Sequence, residues 1–251
     1  MNKELQNMLT ETANLGMEEV TADDLQMPFL RVIQAMSPEL NKQESAYIDG
    51  ASQGDIFNTV TRQFWKGDEG VLVIPIYYQF KYLEFVPRSA GGGFVGELSP
   101  TDIQIKEAHR DENNIELLKS GNELVKTAQH YVKIAHEKGK NFELESAVVD
   151  LKKTGLKKSR TWNSIMSMQK IEGKTMASFA NLYRITTVSE GNDKGTWYTI
   201  NPQHETVIPS VELLNECKEF HQSISEGQVK LAIPSQEQEL LEGQSENKTP
   251  F

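Results

Sequence analysis

The 251-residue chain is 37% hydrophobic and carries a formal net charge of −10 with a single cysteine. This length holds one large domain or two small ones, and the low apolar content implies that part of the chain stays outside the core. The lone thiol, Cys217, excludes an internal disulfide and a multi-cysteine zinc site; no apolar run approaches the roughly 18 residues of a membrane span, and no apolar leader core opens the chain, so a cytoplasmic protein without membrane contact is expected.

Net acidity argues against a nucleic-acid partner until its distribution is read. Residues 1–27 hold Lys3 against six acids, a net of −5, and residues 201–251 hold nine Glu against Lys218, Lys230 and Lys248, a net of −6. The body between them is near neutral, at +1. Within it, Lys152 to Lys174 collects seven basic residues against Glu172 alone. Local fields govern binding more than total charge does.

In chain order, residues 1–27 read as an acidic extension, at most a short helix without a strong apolar face. FLRVIQ after Pro28 is a short strand, SPELNKQESAYIDGASQG a turn-rich loop, GDIFNTVT a strand and FWKGDEG a hairpin turn. VLVIPIYYQFKYLEFVPR is the strongest β segment, dense in β-branched and aromatic residues. Alternation puts Ile76, Tyr78, Phe80 and Tyr82 on one side of it. SPTDIQIKEAHRDENNIELLK is helical or irregular. ELVKTAQHYVKIAH and NFELESAVVDLKK form a hairpin about Glu-Lys-Gly-Lys. SRTWNSIMSMQKI is a helix, with Ser159 or Thr161 as its cap. MASFANLYRITTVSEGNDKGTWYTI is a second hairpin, and VIPSVELLNECKEFHQSI a helix capped by Ser210. The periodicity predicts a mainly β unit over 28–227, an OB-like Greek-key barrel of roughly seven strands with inserted helices. From Gln228 the pattern fades into a disordered acidic tail, residues 228–251.

No motif for catalysis stands out. GGGFVG has dinucleotide-type glycine spacing, but no helix opens at its last glycine, and Ser99-Pro100 follows at once. It reads as a flexible loop or glycine-rich strand, close enough to an extended backbone to touch a phosphodiester. The five histidines do not stand at metal-ligand spacing. A non-enzyme without cofactor or metal is expected.

The informative segment is DLKKTGLKKSRTWNSIMSMQK. Lys152, Lys153, Lys157, Lys158, Arg160 and Trp162 fall at a strand end and a helix start. Such cations neutralise phosphates and release counterions without reading sequence. Trp162 either stacks on a base or packs in the core, and its shared helical face with Ile165 and Met166 favours packing. Aromatic and basic residues also meet in Trp65-Lys66 at a hairpin tip, Tyr82 and Arg88 at the end of the long strand, Tyr131 with Lys133, Arg184 beside Tyr183, and Trp197. Single-strand binders combine basic grooves with stacking platforms.

The chain closes on Glu246, Lys248, Thr249, Pro250 and Phe251. A flexible anionic arm ending in an aromatic suits a pocket with a basic rim. This ending is similar to the tail tip of bacterial single-stranded DNA-binding proteins. PFLRVIQAMSPEL, GDIFNTVT, GGGFVG and LKKTGLKKSRTWNS resemble phage-encoded single-stranded DNA-binding proteins. The resemblance implies sequence-independent binding of single-stranded DNA in replication, recombination or repair, in the host cytoplasm. It also implies that Glu246, Thr249, Pro250 and Phe251 recruit replication or recombination proteins. Self-association stays open. The rival is a protein-interaction module, a phage accessory factor for transcription or assembly, in which the basic helix meets an acidic protein.

Overall fold

Fifteen residues rich in β-branched and aromatic side chains, Val71–Phe85, make the strand on which the sheet is built. The computed structural model describes residues 2–13, 15–21, 24–139, 141–193 and 195–227. In chain order these hold α1 (Lys3–Glu11), β1 (Leu30–Val32), β2 (Ile56–Asn58), β3 (Phe64–Trp65), β4 (Val71–Phe85), β5 (Phe94–Leu98), α2 (Ile103–Glu107), β6 (His109–Arg110), β7 (Glu116–Leu117), β8 (Glu123–Lys138), β9 (Asn141–Lys152), α3 (Gly155–Met168), β10 (Lys170–Ile171), β11 (Lys174–Thr175), β12 (Asn181–Asn192), β13 (Gly195–Val207) and α4 (Val211–Ser225). The protein is mainly β, as its sequence predicts. An antiparallel sheet curls into a half-barrel and carries four helices.

β8 pairs along the length of β4, and β9 folds back on β8 as the predicted hairpin. On the other edge of β4, β12 joins at Val71–Val73 and β5 at Tyr82–Phe85. β13 returns on β12 and ends the sheet. The turn into β4 needs a glycine: Gly70 has φ +72°, and a Cβ there would lie 2.5 Å from the Ile185 carbonyl oxygen.

Pro75 cannot donate to a ladder, and the β4–β8 register slips between Pro75 and Tyr77. A bulge is where a strand tolerates proline. Both Ile76 and Tyr77 consequently face the α4 core. Tyr78, Phe80 and Tyr82 turn to the opposite face, across from His130, Ala128 and Lys126. Strict alternation, which groups Ile76 with those three aromatics, fails by this one residue.

The open side of the half-barrel is spanned by residues 28–34. The Val148 N–H on β9 donates to the Pro28 carbonyl at 2.9 Å, and Phe29 bridges Val148 in parallel. At the other end Gln34 clips β13. Its Nε2 donates to the Tyr198 carbonyl at 2.9 Å, and the Tyr198 N–H donates to its Oε1 at 2.9 Å. A side-chain amide thus satisfies backbone groups at an otherwise open edge.

The sheet buries both faces. The inner one packs Val71, Val73, Val132, Val149, Tyr183 and Ile185 against Leu30, Ile56 and Trp162 of α3. The outer one packs Ile74, Ile76, Tyr131, Val148 and Leu182 under α4. Ser210 caps α4 as predicted, accepting from the Leu213 N–H at 3.2 Å. Leu213, Cys217 and Ile224 form its buried face. Burial pushes the Cys217 thiol up to about 12, which leaves it inert.

Three local expectations are corrected. α3 begins at Gly155, with Thr154 at its cap position, so Ser159 and Thr161 lie inside the helix. Trp65 is no bare hairpin tip: it packs against the inner core. The extension before residue 28 forms α1 with an apolar face, Leu5, Met8 and Leu9, that touches no core. The acidic tail, residues 228–251, lies outside the described residues.

Candidate functional site

α3 and the turn before it carry the basic segment. Lys153, Lys157 and Arg160 are exposed, and among the described residues none of them has an ion-pair partner. No acidic residue stands in the first helical turn, and no side chain caps it. Cations at the positive end of a helix dipole repel it, a cost that a bound anion would remove. The first-turn amides of Leu156 and Lys157 are already taken by the Lys153 and Thr154 carbonyls at 3.2 Å. Anion attraction therefore falls to the side chains. Their two neighbours differ: Lys158 is paired with Glu190 at 2.7 Å and Lys152 with Asp150 at 3.3 Å. Trp197 lies directly across the β12–β13 hairpin from Glu190, half-buried. Lys170 and Lys174, on the β10–β11 hairpin that follows α3, are exposed and extend the basic surface. They belong to the charge cluster of the sequence but were not singled out in it.

Beside this helix runs a row of aromatics. Tyr78 is 41% exposed, and its ring lies 5.0 Å from that of His130. His130 Nε2 lies 2.8 Å from Ser159 Oγ on α3. Phe80 and Tyr82 continue the row, edge to face at 5.3 Å, and Lys126 stands opposite Tyr82. Tyr82 was expected from the sequence. Tyr78 and Phe80 were not, though alternation already placed them on its side of the strand. Arg88 sits in a short 3₁₀ turn past the far end of β4.

Other expected residues lie elsewhere. Trp162 is fully buried, stacked on His130 at 4.5 Å, with no ring face open to a base. Tyr131 is buried on the α4 side, and burial raises its hydroxyl pKa to about 12. Lys133 is on that side too, its ammonium 4.3 Å from the Phe220 ring centre. Burial lowers its pKa, against the pull of Glu216. At the opposite rim, Trp65 and Arg184 line one open groove with His136 and Lys138. Arg184 and Lys138 of that groove are matched by acids. Arg184 holds Glu205 in two hydrogen bonds of 3.1 and 3.0 Å, which raise its pKa and lower that of the carboxyl. His136 meets Glu145 at 3.2 Å, and Lys138 meets Glu143 at 3.3 Å. Nearby Lys66 is spent on Asp55, at 2.8 Å, and on the Gly50 carbonyl. Glu246, Thr249, Pro250 and Phe251 lie outside the described residues.

The His130–Ser159 contact ties α3 to the sheet and makes stability depend on pH. Burial drives the His130 pKa from 6.5 down to about 3. The unfolded chain therefore takes up this proton first as pH falls. The stability that comes with a neutral His130 is complete above pH 6.5 and lost progressively toward about pH 3. Denaturation midpoints are expected to drop across that window. His130→Gln, which keeps a polar partner for Ser159 and does not titrate, should flatten the profile. Parallel profiles for the two proteins would show that other groups set the dependence.

Fold and surface together define a mainly β protein with one basic, aromatic-edged face. Its sequence matches the family described as Pam3 phage gp34-like protein over residues 2–230, and the chain belongs to that phage family. No curated protein and no solved structure matches it. Among the described residues, no helix is long and apolar enough to cross a membrane.

Proposed function

We propose that this protein binds single-stranded DNA without reading its sequence, in phage DNA replication, recombination or repair, and performs no catalysis. One juxtaposition carries the reading. The cations Lys157 and Arg160 stand exposed on α3 and Lys153 in the turn that leads into it, beside the row Tyr78, Phe80 and Tyr82 that shares a face with His130. Phosphates would follow the helix while bases stack along the strand, each stacked base contributing roughly 1–3 kcal/mol. The tail residues Glu246, Thr249, Pro250 and Phe251 would recruit replication or recombination proteins.

A tryptophan-fluorescence titration with oligo-dT, at low and high salt and against matched duplex, tests this. Saturable quenching that favours the single strand and weakens with salt is expected, with Trp197 as the reporter beside α3. A flat titration of folded protein at low salt sinks it. One observation favours a protein-interaction module instead: Leu5, Met8 and Leu9 form an apolar face on α1 that is about half exposed.

A further inference from the structure

Two surfaces of this chain match each other and have no partner among the described residues. The first is α1. Leu5, Met8 and Leu9 stand at i, i+3 and i+4, exposed by 49%, 58% and 53%, and Glu4 and Glu11 flank them. No residue of α1 is buried. A nine-residue helix is marginal in water without a surface for its apolar face. The second begins on α3. Lys157, Arg160, Ser164 and Met168 follow one another at helical spacing on its exposed side. The β10–β11 hairpin continues it, with Ile171 opposite Lys174 and Lys170 beside it. Met168 and Ile171 are 73% and 61% exposed, an apolar patch framed by lysines and an arginine.

We propose that α1 docks in cis on this α3–β10 surface. Leu5, Met8 and Leu9 cover Met168 and Ile171, while Glu4, Glu11 and the acids that follow face Lys157, Arg160, Lys170 and Lys174. Charge selects the pairing: residues 1–27 carry a net of −5, and the segment from Lys152 to Lys174 has seven basic residues against one acid. Tether length selects the same molecule over a second copy. Residues 12–26 reach about 50 Å when extended, against a radius of gyration of about 16 Å for a body of this size. Such a tether holds α1 near its site at an effective concentration on the order of millimolar. The docked arm would occupy the cations that the proposed function gives to DNA, so the arm and a strand compete. That competition rests on the DNA reading; the docking does not.

Cross-linking in the full chain tests the docking without DNA. Met8→Cys with Ile171→Cys is compared with Met8→Cys with Val207→Cys, since Val207 is also exposed, on β13. The native Cys217 is buried and stays out of the exchange. With oxidised glutathione as the oxidant, reduced as the thiols pair, the first pair is expected to form its disulfide at least tenfold faster at low salt, at monomer mass, and to fall toward the control rate at high salt. Equal rates for the two pairs overturn the docking, and a product found only at dimer mass overturns its cis form. In the full chain, Leu5→Ser with Met8→Ser and Leu9→Ser should then tighten oligo-dT binding severalfold. Unchanged affinity despite a fast cross-link overturns the competition. A fast cross-link in a protein that binds no oligonucleotide keeps the docking and removes the DNA reading.

Discussion

Trp162→Ala is expected to lower the unfolding free energy by about 3–5 kcal/mol, the range for removing a large buried aromatic. Trp162 has no exposed surface. Its indole stacks on His130 at 4.5 Å and meets Tyr183 edge to face at 6.1 Å. It also holds α3 against the inner face of the sheet, so the cavity would open between two elements that cannot both collapse into it. Trp162→Phe should cost much less than its volume loss suggests. The buried indole Nε1 has no hydrogen-bond partner among the described residues, and an unpaired buried N–H is itself unfavourable. Urea unfolding followed by circular dichroism measures both variants. The same pair separates packing from stacking: Trp162→Phe, once folded, should leave oligo-dT affinity unchanged. A large loss of affinity in stable Trp162→Phe would mean that the ring swings out to meet a base.

Segments whose pairing is local were legible in the sequence. The β8–β9 and β12–β13 hairpins each close over a short polar turn, and β-branched and aromatic residues mark their strands. α4 announces itself through Ser210 and the spacing of Leu213, Cys217 and Ile224. What stayed hidden depends on contacts distant along the chain. Gln34 clips Tyr198 across 164 positions, and no local pattern marks a glutamine as an edge cap. The slip between Pro75 and Tyr77 turns Ile76 away from the aromatics that alternation groups with it, so which core the row Tyr78–Phe80–Tyr82 faces emerges only once β8 is in register. α3 starts a turn early because Ser159 is used on His130, 29 positions away, rather than as a cap.

The candidate site divides in the same way. The cluster on α3 was legible because its charges are contiguous. Which of them are free was not, since Lys158 finds Glu190 only through the fold, as Arg184 on β12 finds Glu205. Aromatic–basic neighbours in sequence misled for a simple reason. Trp65 packs on the inner core while Lys66, just past β3, is held by Asp55, and Tyr131 and Lys133, two apart on a strand, share a face that α4 covers.

Lys157→Glu with Arg160→Glu should weaken oligo-dT binding at low salt by on the order of 100-fold, about tenfold for each reversed charge. Both residues are exposed and have no ion-pair partner among the described residues, so no contact within the folded body is lost and the fold should be unaffected. Each phosphate contact adds about 0.7 to the slope of log affinity against log salt for a single strand. Loss of two contacts should therefore flatten that slope by about 1.4. Position on the fold supplies the controls. Lys158→Glu breaks an ion pair with Glu190 whose charge is already balanced, so its effect on affinity should be smaller than that of Lys157→Glu. Lys133→Gln, under Phe220 on the other face, should leave binding unchanged while lowering stability. If all four changes weaken binding alike, the strand is drawn by diffuse charge and the α3 face has no special role. If the double reversal binds as well as the native chain with an unchanged slope, the cations of α3 do not meet DNA, and an acidic protein surface becomes the better match for them.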